Sequence, residues 1–231
     1  MENLLIKYFE ARIKNENRKT TPGPVITISR EYGCPSKILA GILADKLNST
    51  GHSGSEHSPG WRWISRELLE ESAKELKVDP KHINHVFDYH ERTLIDDMLA
   101  STRKDGSYKS DHAIKKTIGK VVRTLGEKGH IIIVGRAGVA INRDIPDSLH
   151  IRLMAPVEWR IETLVKTHAI SRDEAVALMN TKDANRKLFL EYYLGSKFRL
   201  QIFDVVYNCG YLTMEEIADS IVKLAVARKM L

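Results

Sequence analysis

Four short apolar runs, separated by stretches with helical spacing, limit what this chain can fold into. They are Val25–Ile28, the segment HIIIVGR (His130–Arg136), the segment LHIRLMAP (Leu149–Pro156) and Asp204–Asn208. A strand that is apolar at successive positions, rather than at alternate ones, buries both of its faces. Such strands alternating with helices predict an α/β fold, a parallel sheet covered by helices on both sides. The helical partners are legible too. Ile38, Leu39, Ile42, Leu43 and Leu47 share one face after the first run, and Val157–His168 follows Ala155-Pro156. Ser171 with Glu174, and Thr213 with Glu216, have capping-box spacing and open two further helices.

With 231 residues the chain is long enough for one large domain with a substantial core. Glu2–Lys14 has the pattern of an amphipathic helix, whose apolar face leaves a homodimer open, and Arg18–Pro24 reads as a loop. Asn48–Trp63, rich in Gly, Ser and His, is expected to be a mobile surface loop, its His52 and His57 solvated. Residues 65–128 read as consecutive helices, the last striped by Ile114, Ile118, Val121, Val122 and Leu125 and ended by Gly129. That stretch is too long for a simple crossover. It is expected to be an insertion covering a site at the carboxyl ends of the strands, with the core formed by about 24–64 and 129–231.

Composition narrows the function. No apolar stretch reaches membrane-spanning length, and the first residues lack the apolar core of a signal peptide, so a cytoplasmic protein without membrane partners is expected. The net charge of +6 is spread along the chain, with no basic run or aromatic stripe, which favours a small anion over nucleic acid. Two cysteines, Cys34 and Cys209, are too few for a disulfide framework or a zinc site. Cys34, near a helix N-terminus, is the candidate for a lowered thiol pKa.

The residues just past the strands form a consistent set. Ser29, Arg30, Tyr32, Gly33, Ser36 and Lys37 follow the first, and Gly135 and Arg136 the second. Arg160 lies in the helix after the third, and the segment NTKDANRK adds Lys182, Asp183 and Arg186 beyond the Ser171 helix. Cations at several strand exits beside a helix N-terminus converge on an anion. Lys182 and Arg186, four apart, project from one face of a helix. Each alone reads equally well as a solvated surface charge; together they favour a binding site.

The segments ITISREYGCPSKILAGILADKL, IIIVGRAGVAINRDIPDSLHIRLMAPVEWRIE and KDANRKLFLEYY resemble the cytidylate kinase-like family, a branch of the P-loop nucleoside monophosphate kinases, from about residue 24 to the C-terminus. The resemblance implies a parallel five-stranded sheet with a helical monophosphate-binding insertion and a short lid. It implies ATP with Mg²⁺ as donor and a nucleoside monophosphate, CMP or dCMP foremost, as acceptor. Nucleotide-binding residues would be Arg30, the loop Tyr32, Gly33, Cys34, Pro35, Ser36, Lys37 and Ile38, and Arg160. Acceptor-binding residues would be Ser65, Arg66, Gly135, Arg136 and Asp183. Lys37, Arg136, Lys182 and Arg186 would carry the catalytic charge, and the Ser36 hydroxyl would help hold Mg²⁺. Pro35 and Ser36 stand where the branch usually has glycines, and no register of the loop satisfies G-x-x-x-x-G-K-[ST]. Two functions follow: a phosphotransferase, or a catalytically weak relative that binds a nucleotide or another anion as a sensor or interaction module.

Overall fold

The computed structural model describes residues 23–51, 60–65 and 111–231. Within them lie β1 (Val25–Arg30), α1 (Ser36–Gly51), β2 (Arg62–Ile64), α2 (Asp111–Lys128), β3 (Ile131–Val134), α3 (Gly138–Asn142) and β4 (Ser148–Met154). They are followed by α4 (Val157–His168), α5 (Arg172–Leu194), β5 (Val205–Asn208) and α6 (Met214–Ala227). The expected N-terminal helix, Arg66 and most of the helical insertion lie outside the described residues.

The five strands form one sheet in the order β2-β3-β1-β4-β5, and every pairing is parallel. The registers explain the unbroken apolar runs. Ile131 and Ile133 of β3, with Val25 of β1, face α2 and α5 and pack with Ile118, Val122, Leu125 and Phe189. Ile132 and Val134, with Ile26 and Ile28, face the other way onto Leu39, Leu43 and Leu47 of α1 and Ile217 and Ile221 of α6. Each fully buried isoleucine or leucine contributes roughly 1.5–3 kcal/mol, so each central strand is held from both faces.

Local chemistry fixes the helix ends. Ser171 and Thr213 both make the expected capping boxes, with the backbone N–H of each cap donating to the glutamate three residues on at 2.8 Å. Gly129, φ +71, turns α2 into β3 where a Cβ would lie 1.8 Å from the Gly23 carbonyl oxygen.

Two boundaries differ from the sequence expectation. α1 continues to Gly51 and Arg62–Ile64 is strand β2, so the Gly/Ser/His-rich connection is shorter than Asn48–Trp63. Asn48 anchors it, accepting from the Trp61 N–H at 2.6 Å and donating to the Trp61 carbonyl at 2.9 Å. The segment NTKDANRK, expected beyond the Ser171 helix, is part of that helix, α5, which is continuous over 23 residues.

One buried polar pair spans the sheet. His150 of β4 lies opposite Thr27 of β1, with Nδ1 2.7 Å from the threonine Oγ1, while its buried Nε2 has no partner. Burial lowers the imidazole pKa to about 4; Asp204 opposes this, and Arg228 and Arg143 reinforce it. The unfolded chain therefore takes up a proton near pH 6.5 that the folded chain refuses. The neutral histidine's contribution is fully present above pH 6.5 and is lost as pH falls towards 4. Between pH 7.5 and 4.5 we expect denaturant unfolding to show about 2–3 kcal/mol more loss for the wild type than for His150→Gln.

Candidate anion site at the strand exits

The carboxyl ends of β1, β3 and β4 open into a cavity of about 480 Å³, closed on one side by α5. Among the described residues its lining holds six cationic side chains, Arg30, Arg136, Arg152, Lys182, Arg186 and Lys187, against two carboxylates, Glu31 and Asp183. That excess makes the cavity a seat for an anion rather than a neutral ligand.

Each cation is delivered by a specific element. Arg30 is the last residue of β1, and Gly135 leaves the space beside it, since a Cβ there would lie 2.0 Å from the Arg30 Nη1. Arg136 follows β3 in a turn where Gly135, Arg136 and Ala137 all have positive φ (77°, 55° and 52°). Left-handed backbone at two consecutive non-glycine residues is strained, and such strain gathers at functional sites. Lys182, Asp183 and Arg186 share the inner side of α5, as their spacing on a helix requires.

Electrostatics record the crowding. Burial, followed by repulsion from Arg186 and Arg136, lowers the Arg30 pKa to about 9, with Asp183 opposing. Arg186 is lowered by burial with Asp183 again opposing; its Nη1 is 3.8 Å from Asp183 Oδ1 and its guanidinium lies 4.9 Å over the Tyr32 ring. Arg152 is lowered by burial, donates to Ser29 Oγ at 3.2 Å and stacks 4.9 Å over Phe198. At neutral pH all three remain charged.

Asp183 and Glu31 tie the loop after β1 to α4 and α5. Asp183 Oδ1 accepts from the Tyr32 backbone N–H at 2.7 Å, and its Oδ2 accepts from Arg160 Nη1 at 2.6 Å. Glu31 lies 3.5 Å from the Arg160 Nε and 3.9 Å from Arg152 Nη2, and accepts from the Ala155 N–H at 3.3 Å. Gly33 rests on the α4 backbone, where a Cβ would lie 3.4 Å from the Arg160 Cα.

The sequence-selected residues thus divide. Arg30, Tyr32, Gly135, Arg136, Lys182, Asp183 and Arg186 line the cavity. Arg160 is buried behind it and acts on it through Asp183 and Glu31. Pro35, Ser36, Lys37 and Ile38 do not line it: Ser36 is buried, and Lys37 and Ile38 face solvent. Ser65 is buried after β2, away from the lining. Cys34 corrects the expectation of a lowered thiol pKa. It is buried in the core, and a hydrogen bond with Cys209, then burial, pushes it up. Sequence reasoning passed over Arg152 and Glu31. Arg152 was visible as the one charge inside the apolar run of β4.

The residues do not build a metal site. Among those described no group of three His, Cys, Asp or Glu gathers, both cavity carboxylates are engaged with arginines, and the Ser36 hydroxyl is off the cavity. Nor, among them, is any helix long and apolar enough to cross a membrane.

Known proteins give this arrangement its relatives. A cytidylate kinase of Sulfolobus acidocaldarius is 28% identical over 208 residues, covering 89% of this chain and 96% of its own. The crystal structure of an uncharacterized protein from Eubacterium ventriosum superposes with a TM-score of 0.61 at 20% identity, over 88% of this chain and 98% of its own, which speaks to the fold alone. The model of the cytidylate kinase-like family matches residues 25–209, from the first residue of β1 to the residue after β5, and so takes in the whole sheet and its cationic cavity. This chain belongs to the cytidylate kinase-like family.

Proposed function

We propose that the chain transfers the γ-phosphoryl group of ATP to a nucleoside monophosphate, with CMP or dCMP as the acceptor. The observation that carries this reading is the crowding of Arg30, Arg136 and Arg186 in one cavity, where burial and then repulsion from the other two depress the Arg30 pKa, with too few carboxylates among the described residues to balance them. Phosphoryl transfer needs little beyond positioning and neutralisation of charge, and this is what the cavity supplies. In this reading Arg136 and Gly135 receive the acceptor's phosphate, Lys182 and Arg186 neutralise the moving group, and Asp183 keeps the loop and α5 in register. The acceptor phosphate is already ionised, so no general base is required. Mg²⁺ would enter with the phosphates of the donor, and the chain's own residues serve the transfer without holding it. The family relationship supports the same class of reaction, and the name of the Sulfolobus relative supports the choice of cytosine.

A second reading, an anion-binding module with weak or no turnover, is favoured by the loop after β1. Three of its amides are committed within the protein, Tyr32 to Asp183, Cys34 to the Glu31 carbonyl and Ser36 to the Cys34 carbonyl, while Pro35 has none. A screen of purified protein with ATP and Mg²⁺ against the common nucleoside monophosphates separates the two. Turnover with CMP or dCMP well above the others supports the kinase. Binding of nucleotide without turnover on any acceptor supports the module.

A further inference from the structure

We propose that Arg30, and not Lys37, is the cation that the first strand and its loop supply to the phosphoryl group in transit, beside Lys182 and Arg186, an assignment that rests on the phosphotransfer reading above. A phosphate loop usually places a lysine from the start of its helix against the phosphates. Here that helix starts at Ser36, and Lys37, its second residue, faces solvent outside the cavity. The loop itself has turned inward, with Tyr32, Cys34 and Ser36 donating their N–H groups to the protein. A donor's phosphates therefore lose those three amides, the amide that Pro35 lacks and the usual lysine.

Arg30 stands where that charge is needed. It ends β1, in the middle of the sheet, and its guanidinium lies against the bare backbone of Gly135. The groups that act on it are Arg136 from the turn after β3, Arg186 and Asp183 from α5, and Cys34 from the loop. The two cavity carboxylates are directed elsewhere, Glu31 to Arg152 and Arg160, Asp183 to Arg160 and Arg186. A buried guanidinium held beside two others, without its own carboxylate among the described residues, is unfavourable in the empty site and favourable once an anion arrives. In the transfer, an acceptor phosphate oxygen forms a bond to the γ-phosphorus while the bond from that phosphorus to the β,γ-bridging oxygen breaks. The bridging oxygen leaves on ADP with the electron pair, and no proton moves. Arg30 bonds the non-bridging oxygens as charge shifts between the two sides.

The test compares Arg30→Gln, Arg30→Lys, Gly135→Ala and Lys37→Ala in transfer and in calorimetric binding of inorganic tripolyphosphate. Arg30→Gln is expected to lower kcat by about 100-fold or more, with the KM for ATP changed by less than about threefold. Its thermal stability should be unchanged or raised, because a repelled cation has gone, and added guanidinium ion should restore part of the rate. Arg30→Lys keeps the charge without the fork and should fall between. Gly135→Ala displaces the guanidinium and should lower kcat in the same direction. Lys37→Ala should cost less than about tenfold. A Lys37→Ala variant that is dead while Arg30→Gln is active overturns the assignment. So does an Arg30→Gln loss that tracks lowered stability and resists guanidinium. If the wild type transfers nothing yet binds tripolyphosphate, and Arg30→Gln abolishes that binding, the transfer reading fails while Arg30 remains the anion's cation. If the wild type binds no tripolyphosphate, both fail.

Discussion

Arg186→Ala should lower phosphoryl transfer by about 100-fold or more while nucleotide binding changes little. The side chain is placed for a role in the transition state: it projects from α5 into the cavity, spreads over the Tyr32 ring at 4.9 Å, and holds a buried Nη1 that has no hydrogen-bond partner. Among the described residues its carboxylate neighbour, Asp183, is 3.8 Å away and already bonded to Tyr32 and Arg160. A guanidinium so placed has donors to spare for a third group. A cation serving only to pack α5 on the loop would instead shift melting temperature and KM together. Steady-state kinetics with ATP and CMP varied separately, alongside a melting curve, separates these outcomes.

Asp183→Ala should be the most damaging single change to the site as a structure. The carboxylate joins the Tyr32 N–H to the buried Arg160, whose side chain is only 8% exposed, and Glu31 is the other acid near that arginine, at 3.5 Å. Removing one partner of a largely desolvated pair leaves the other charge without its closest counterion, and leaves a loop amide unpaired. Because Asp183 is itself partly exposed, the expected cost is roughly 2–3 kcal/mol, below that of a fully buried pair. The loop 31–35 should become accessible with it. Denaturant unfolding reads the first effect, and amide exchange at Tyr32 the second. Asp183→Asn, which keeps an oxygen for the Tyr32 N–H but loses the charge facing Arg160, should recover the amide protection more than the stability. Equal, small effects of both variants would mean that Arg160 and Glu31 hold the loop without Asp183.

The strands and their helices were readable because both faces of the sheet are covered. Runs such as Ile131–Val134 carry no alternation to confuse with a half-buried strand, and the capping boxes at Ser171 and Thr213 mark their helices within a few residues. β2 was hidden by its length: three residues, Arg62-Trp63-Ile64, are too few to establish a period beside a run of Gly, Ser and His. NTKDANRK reads as lying beyond the Ser171 helix because polar residues dominate it. It is nonetheless part of α5, where Asp183 accepts from the Tyr32 N–H and Arg186 lies over the Tyr32 ring.

The cations of the site were legible as a set, but their geometry was not, because it is made by partners far apart in the chain. Tyr32 and Asp183 are 151 residues apart, and no local pattern announces that the carboxylate will take a loop amide. Cys34 was misjudged for the same reason. Position at a helix N-terminus argues for a lowered pKa, but Cys209, which reverses it, arrives from the residue after β5, 175 positions along the chain. Lys37 was read one-dimensionally as the loop's cation. The fold puts it on the outside of the first turn of α1, and Arg30, five residues from the start of β1, on the inside.

Everything proposed depends on Arg30, Arg136 and Arg186 serving one polyanion together. Calorimetric titration of the wild type and of the Arg136→Ala/Arg186→Ala double variant with inorganic tripolyphosphate, at low and at moderate salt, asks this most directly. One tripolyphosphate should bind per chain, weakened by salt, and because it has no base or ribose to hold it as a nucleotide has, its binding should fall by about 100-fold or more in the double variant. Several weak sites on the wild type, or binding that survives the loss of both arginines, would contradict it.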